Sequence, residues 1–375
     1  MSQMDPMKER PTGALISTVT KLINLVLLLL VAIVAITVAF YSYDKPLFTI
    51  NWIEGSSDVS SESAVGTTDS KEQPEKASFF TEIHNPLEEL KEQTDLNSEY
   101  IKYGYQLISE TYKYIGPENG DAKMVYTGNN LACKNCHLDA GQKKFSAPYV
   151  GVFGRFPQYR GRENTIGTLQ DRVNGCMERS MNGKKLPVDG KEMTAIMAYM
   201  KWVSDKVPTG EKIEGSGFVK VEIPNRKVDL AHGEEVYKMK CASCHGVDGQ
   251  GIKMPSGLGY TYPPLWGNDS YNHGAGMNRV LTAAQFIKGN MPFGATSENP
   301  MVTDEEAYDV AGFIDSHQRP KKKNTEKDYP KLERKPVSAP YGPYADEFSQ
   351  EQHQFGPFQE IMAYYEKEYN LKKTK

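Results

Sequence analysis

Two short runs, Cys133-Lys-Asn-Cys136-His137 and Cys241-Ala-Ser-Cys244-His245, constrain this 375-residue chain more than any other feature in it. Each has the C-x-x-C-H spacing of c-type haem attachment. Two thiols on one turn can reach the two vinyl groups of a haem, and the adjacent imidazole then points at the iron as proximal ligand. With 5 cysteines and 7 histidines in the chain, one such match arises by chance about once in a thousand sequences, and two are far rarer. A disulfide or a zinc pair is the competing explanation of each run. The pattern predicts two covalently bound c-type haems, which are loaded outside the cytoplasm.

The rest of the chain is organised around this. The prediction is a mainly α protein of two tandem cytochrome c domains with an N-terminal transmembrane helix. Residues 22–40 are apolar except for Asn24 and Thr37, long enough to cross a hydrocarbon core of roughly 30 Å. Lys8, Arg10 and Lys21 precede them, so 1–43 read as a cytoplasmic N-terminus and anchor, with everything beyond outside the cytoplasmic membrane or in the periplasm. A cleaved signal peptide is the alternative, but its apolar region is shorter and ends in small residues. Residues 44–94 read as a mostly disordered tether, because 55–77 hold no aromatic residue and cannot bury enough surface to fold. The two cytochrome domains fall at 95–208 and 226–318, joined by a linker at 209–225. A tail at 319–375, with Tyr341, Tyr344, Phe355 and Phe358, is expected to pack on them. Stripes at Ile101, Tyr105, Ile108 and Tyr112, at Met193, Ile196, Met197 and Met200, and at Ala307, Val310, Ala311 and Ile314 predict core helix faces. Asp189-x-x-Glu192 and Thr303-x-x-Glu306 have the form of capping boxes. Lys and Arg number 44 against 48 Asp and Glu, a net charge of -4, which gives no electrostatic footprint for nucleic acid.

Each iron needs a sixth ligand. In the second copy the candidates are Met254, Met277 and Met291. Met291, 46 residues after His245 and followed by Pro292, is preferred, with Met254 next. In the first copy Cys176 follows His137 by 39 residues and has no cysteine left to pair with. Either it faces the iron or it is a buried small hydrophobe, with Met177 or Met181 ligating instead. Arg162, Arg172 and Arg179 would hold its thiolate and could bind a dianion. A thiolate lowers the iron potential and a thioether raises it, so the two haems would be graded.

Arg160-Gly-Arg-Glu-Asn-Thr-Ile166 and Asn174-Gly-Cys-Met-Glu-Arg-Ser-Met-Asn-Gly-Lys-Lys-Leu-Pro187 resemble the dihaem thiosulfate dehydrogenases. So do Tyr262-Pro-Pro-Leu-Trp-Gly267, Gly274-Ala-Gly-Met277, Phe286-Ile-Lys-Gly-Asn-Met-Pro292 and Pro340-Tyr-Gly-Pro-Tyr-Ala-Asp346. The resemblance runs from about residue 95 to 360. It implies an enzyme that joins two thiosulfates into tetrathionate, with some members running the reverse. It further implies an active-site haem ligated by His137 and Cys176 beside Arg162, Arg172 and Ser180, with Ser180 one helical turn from Cys176. The second haem, ligated by His245 and Met291, would relay electrons to a small cytochrome or a quinone-linked complex. Some members carry Lys before that Met, where this chain has Asn290. A tethered electron-transfer cytochrome with no substrate of its own, or a Sox-type sulfur-transfer subunit, are the rival readings.

Overall fold

The computed structural model describes residues 20–33 and 79–374. The chain divides into two units, Met1–Pro74 and Glu75–Lys375. In the first, residues 20–33 are helical and exposed. The remainder of the expected anchor, to Phe40, and the tether at 55–77 lie outside the described residues. No helix among the described residues is long and apolar enough to cross a membrane.

The second unit is mainly helical. Its first half contains α1 (Leu96–Ser109), a small antiparallel hairpin of β1 (Gln158–Arg160) and β2 (Thr165–Gly167), α2 (Leu169–Met177) and α3 (Lys191–Trp202). Its second half contains α4 (Leu230–Lys240), the short hairpin β3 (Ile252–Lys253) and β4 (Tyr260–Tyr262), α5 (Val280–Asn290) and α6 (Asp304–Ser316). In each half the helix before the haem motif crosses the closing helix at a glycine. A Cβ on Gly104 would overlap the Ala195 carbonyl, and one on Gly233 the Asp309 carbonyl. Without those side chains the two backbones touch, which brings the apolar stripes together. Ile101, Leu107 and Ile108 of α1 then meet Met193, Ile196 and Met200 of α3 in one core. Val236 and Tyr237 of α4 meet Ala307, Val310, Ala311 and Ile314 of α6 in the other.

The two closing helices start differently. Thr303 accepts from the Glu306 amide at 3.1 Å while its own amide donates to the Glu306 carboxylate at 2.8 Å, a complete capping box. The box expected at Asp189 is not formed. Gly190 stands at the cap of α3 with no side-chain bond, and Glu192 instead accepts from the Tyr103 hydroxyl at 3.2 Å.

Segments between and beyond the domains are fastened down. The expected tether does not extend to residue 94, since His84 exchanges two backbone bonds of 2.8 Å with the buried Gln142 side chain. The linker lies as a strap along the first domain, where the Phe145 and Ala147 amides donate to Gly215 and Gly217 at 2.7 and 2.8 Å. Beyond α6, Phe358, Ile361 and Tyr365 of α7 (Phe358–Tyr369) are buried in the second core. Where the two halves meet, Asn129 Nδ2 donates to the Ser270 carbonyl at 3.2 Å and the Asn130 amide to Asp269 at 2.9 Å. Asn272 Nδ2 donates to the Glu178 carbonyl at 2.9 Å and to the Asn182 side chain at 3.0 Å.

The glycine crossing gives a stability prediction. Gly104→Ala should cost about 1–3 kcal/mol by forcing α1 away from α3, whereas Gly120→Ala, with nothing within 4 Å of the added carbon, should stay within about 0.5 kcal/mol. Denaturant unfolding of the two holoprotein variants checks this, and equal behaviour would remove the crossing from its place in the fold.

Candidate functional site

Cys133, Cys136 and His137 line one side of a cavity of about 1330 Å³, counting its open mouth, and Cys176, Met177, Ser180 and Met181 line it too. The rest of the lining is mostly apolar, including Leu107, Ile108, Leu131 and Ile196. All five cysteines are free of disulfides, and no three His, Cys, Asp or Glu side chains among the described residues cluster as a zinc site requires.

Both motif histidines are oriented as iron ligands need to be. His137 Nδ1 lies 2.7 Å from the Ala147 carbonyl and His245 Nδ1 lies 2.8 Å from the Pro263 carbonyl. A carbonyl can only accept, so Nδ1 carries the proton and Nε2 keeps its lone pair for a metal. Burial pushes His137 down to about 4, against the opposing effect of the Ala147 bond, and burial also lowers His245. Both rings are therefore neutral near pH 7. Paired thiols, a lone pair held at fixed angle and an apolar cavity fit a covalently held haem in the first domain. In the second, the His245 ring lies 6.3 Å from that of Tyr262, and Cys241 packs against the second core.

Cys176 lies on α2, which the Thr168–Asp171 capping box starts. Arg172, four residues earlier on the same face, donates from Nη1 to Cys176 Sγ at 2.9 Å. Cys176 and Ser180 also line a second, adjoining cavity, which Met177 and Met181 do not. Those two methionines are 2% and 4% exposed and belong to the first core. Ser180 is not on the helix as expected. α2 ends at Met177, and the turn closed by the Met181 amide on the Cys176 carbonyl, at 3.0 Å, carries Ser180 to the cavities instead.

Five arginines line the second cavity: Arg160, Arg162, Arg172, Arg179 and Arg279. Arg160 is bound at Nε and Nη2 by Glu163, both at 2.9 Å. Arg179, expected to be part of the cationic surround of Cys176, is instead paired with Asp328 of the tail at 2.7 Å, both side chains buried. The acid cancels its charge and makes it a strut between domain and tail. Arg162, at the hairpin tip, donates to the Tyr329 hydroxyl and the Gly274 carbonyl, both at 3.3 Å, while the Tyr329 amide donates back to the Arg162 carbonyl at 2.8 Å.

Sequence reasoning did not foresee that the second domain contributes to these cavities. Tyr271 and Met277 of the second domain line the first cavity, and Met277 and Arg279 line the second. Only the spacing of Gly274-Ala-Gly-Met277 within the resemblance hinted at this loop, with nothing to aim it at the first domain. Of the three candidate sixth ligands of the second domain, Met277 and Met291 both pack against the second core. Met277 is at the cavities of the first domain, Met254 Sδ accepts from the Tyr112 hydroxyl at 3.2 Å, and Met291, at the C-terminal cap of α5, packs against the second core.

Known proteins match on the same segments. Residues 123–209 match the SoxA/TsdA cytochrome c domain family and residues 230–318 the cytochrome c family. A thiosulfate dehydrogenase of Allochromatium vinosum is 46% identical over 199 residues, covering 52% of this chain and 72% of that protein. Another, of Stutzerimonas stutzeri, is 40% identical over 222 residues, covering 59% of this chain and 68% of that protein. The solved structure of the thiosulfate dehydrogenase TsdBA from Marichromatium purpuratum superimposes with a TM-score of 0.56 at 32% identity, over 62% of this chain and 48% of that one. With two cytochrome c modules whose cysteines and imidazoles are in place for two covalently bound haems, the chain belongs to the dihaem thiosulfate dehydrogenase family.

Proposed function

We propose that this chain couples two thiosulfates into tetrathionate at Cys176, releasing two electrons, and runs the reverse reaction when electrons are supplied. The observation that carries this reading is the 2.9 Å contact of Arg172 Nη1 with Cys176 Sγ, in a cavity where Arg162, bonded to the Tyr329 hydroxyl and the Gly274 carbonyl, forms no ion pair among the described residues. A permanent cation on the sulfur and a second one nearby suit a small sulfur dianion. Arg162 and Arg172 each offer forked contacts to its sulfonate oxygens, and Ser180 offers a hydroxyl.

The sulfur chemistry then balances with these residues. The outer sulfur of one thiosulfate bonds to the Cys176 sulfur as two electrons leave. The outer sulfur of a second thiosulfate attacks the one so attached, the bond to Cys176 breaks, and tetrathionate departs with the cysteine thiolate restored. Haem, when bound, would be held by His137 and Cys176 in one domain and by His245 and Met291 in the other, and would supply one-electron acceptor chemistry. The final acceptor is a redox partner, a small cytochrome or a quinone-linked complex. The apolar run at 22–40 with Lys8, Arg10 and Lys21 before it supports a membrane anchor that keeps the catalytic part in the periplasm, or outside the cytoplasmic membrane.

Purified holoprotein given thiosulfate and an artificial acceptor should form tetrathionate with no carrier protein present. Absence of turnover would leave a plain electron-transfer cytochrome, and sulfur found only on an added carrier cysteine would leave a sulfur-transfer subunit. Film voltammetry with thiosulfate and with tetrathionate should give catalytic currents of both signs.

Cys176→Gly should abolish turnover in both directions and leave the methionine-to-iron charge-transfer band of the second haem. Met291→Gly should lose that band and lower the second potential, yet keep part of the activity, because a relay still passes charge at a poorer potential. A band that survives in Met291→Gly would move the ligand to another methionine. Arg162→Ala and Arg172→Ala should each cost roughly 1.5–3 kcal/mol of substrate or transition-state binding, read from kcat/KM, with unchanged haem spectra of the second domain. An arginine whose loss leaves the kinetics alone is structural.

A further inference from the structure

Arg279 is the one arginine at the second cavity that comes from the other cytochrome domain. It stands at the N-terminal cap of α5 and donates from Nε to the Gly276 carbonyl at 3.3 Å. Among the described residues its forked Nη end takes part in no ion pair. Burial and the charges of Arg162 and Arg172 pull it below an arginine's ordinary affinity for its proton, while Tyr329 and Tyr341 act in the opposite sense. It is thus a half-buried cation facing two more cations. Burying like charges together is unfavourable unless an anion joins them.

The positions of the three unpaired arginines differ. Arg172 lines both cavities and holds the Cys176 sulfur, whereas Arg162 and Arg279 line only the second. Two sulfonates must be present when the S–S bond of tetrathionate forms or breaks, and both are anionic. One seat beside Cys176 cannot hold both.

We infer that Arg279, with Arg162, forms a second sulfonate seat, which holds the attacking thiosulfate or the far end of tetrathionate, so that the substrate site is assembled from both domains. This rests on the thiosulfate–tetrathionate reaction proposed above. It assigns Arg279 a direct substrate contact, with no part in the covalent step.

The experiment titrates oxidised holoprotein calorimetrically with tetrathionate, which has two sulfonate ends, and with sulfate, which has one, and intact-mass measurement checks that Cys176 carries no transferred sulfur. Arg279→Ala should weaken tetrathionate by about tenfold or more, the loss expected for a charge-assisted contact, and change sulfate affinity less than about threefold. Arg279→Lys should recover part of the loss, since it keeps the charge without the fork. In turnover, the half-saturating thiosulfate concentration should rise while the potentials of both haems stay in place. Equal weakening of both anions would merge the two seats and overturn the inference, as would unchanged tetrathionate binding. Should Arg279→Ala fail to fold, Arg279→Gln, neutral and closer in size, carries the same comparison. If wild-type protein binds tetrathionate but does not turn over thiosulfate, the proposed reaction fails while the two-seat assignment is still decided by the titrations.

Discussion

Side-chain amides hold the two cytochrome domains in register, and the cavities between Cys176 and the arginines depend on that seam. Asn129, Asn130 and Asn272 are nearly fully buried and bond across it to carbonyls and to Asp269. An unpaired amide in such a place would cost about 1–3 kcal/mol, so sliding one domain over the other is opposed at several points at once. An aliphatic seam of the same area would be slippery by comparison. The directionality of these bonds sets where the loop of residues 269–279 lies, and with it Tyr271, Met277 and Arg279.

The tail adds a second layer of control. Asp328 neutralises Arg179, and the next residue, Tyr329, binds the Arg162 backbone and side chain. A pair of adjacent tail residues therefore sorts two arginines of one cavity, making one a strut and presenting the other. Removing the tail would strip Val337 and Phe358 from the second core and would leave the buried Arg179 without its acid.

What the sequence made legible was local. The two haem motifs, most of the apolar stripes and the Thr303 cap follow from spacing within a few residues, and the folded chain has them; the first stripe breaks because α1 ends at Ser109, short of Tyr112. Asp189 failed as a cap because α3 starts one residue later, with Gly190 at the cap, which moves Glu192 off the third position and leaves it to Tyr103, 89 residues away in sequence. Ser180 was placed on a helix that stops three residues earlier, and Arg179 was grouped with the free cations because its acid lies 149 residues downstream. Arg279 was passed over for the same reason: an arginine's charge is visible in a sequence, but whether any acid meets it is a property of tertiary packing.

Between Arg279 and Met291 runs α5, 11 residues of continuous helix, about 16 Å long at 1.5 Å per residue. A helix of that length transmits displacement along its axis with little compression, so its ends are a single mechanical part. A redesign that exchanged the second domain for an unrelated cytochrome c would keep a haem-binding module and discard Tyr271, Met277 and Arg279 from the walls of the cavities that Cys176 lines. The two halves of this protein are in that sense not modular, although each has its own core.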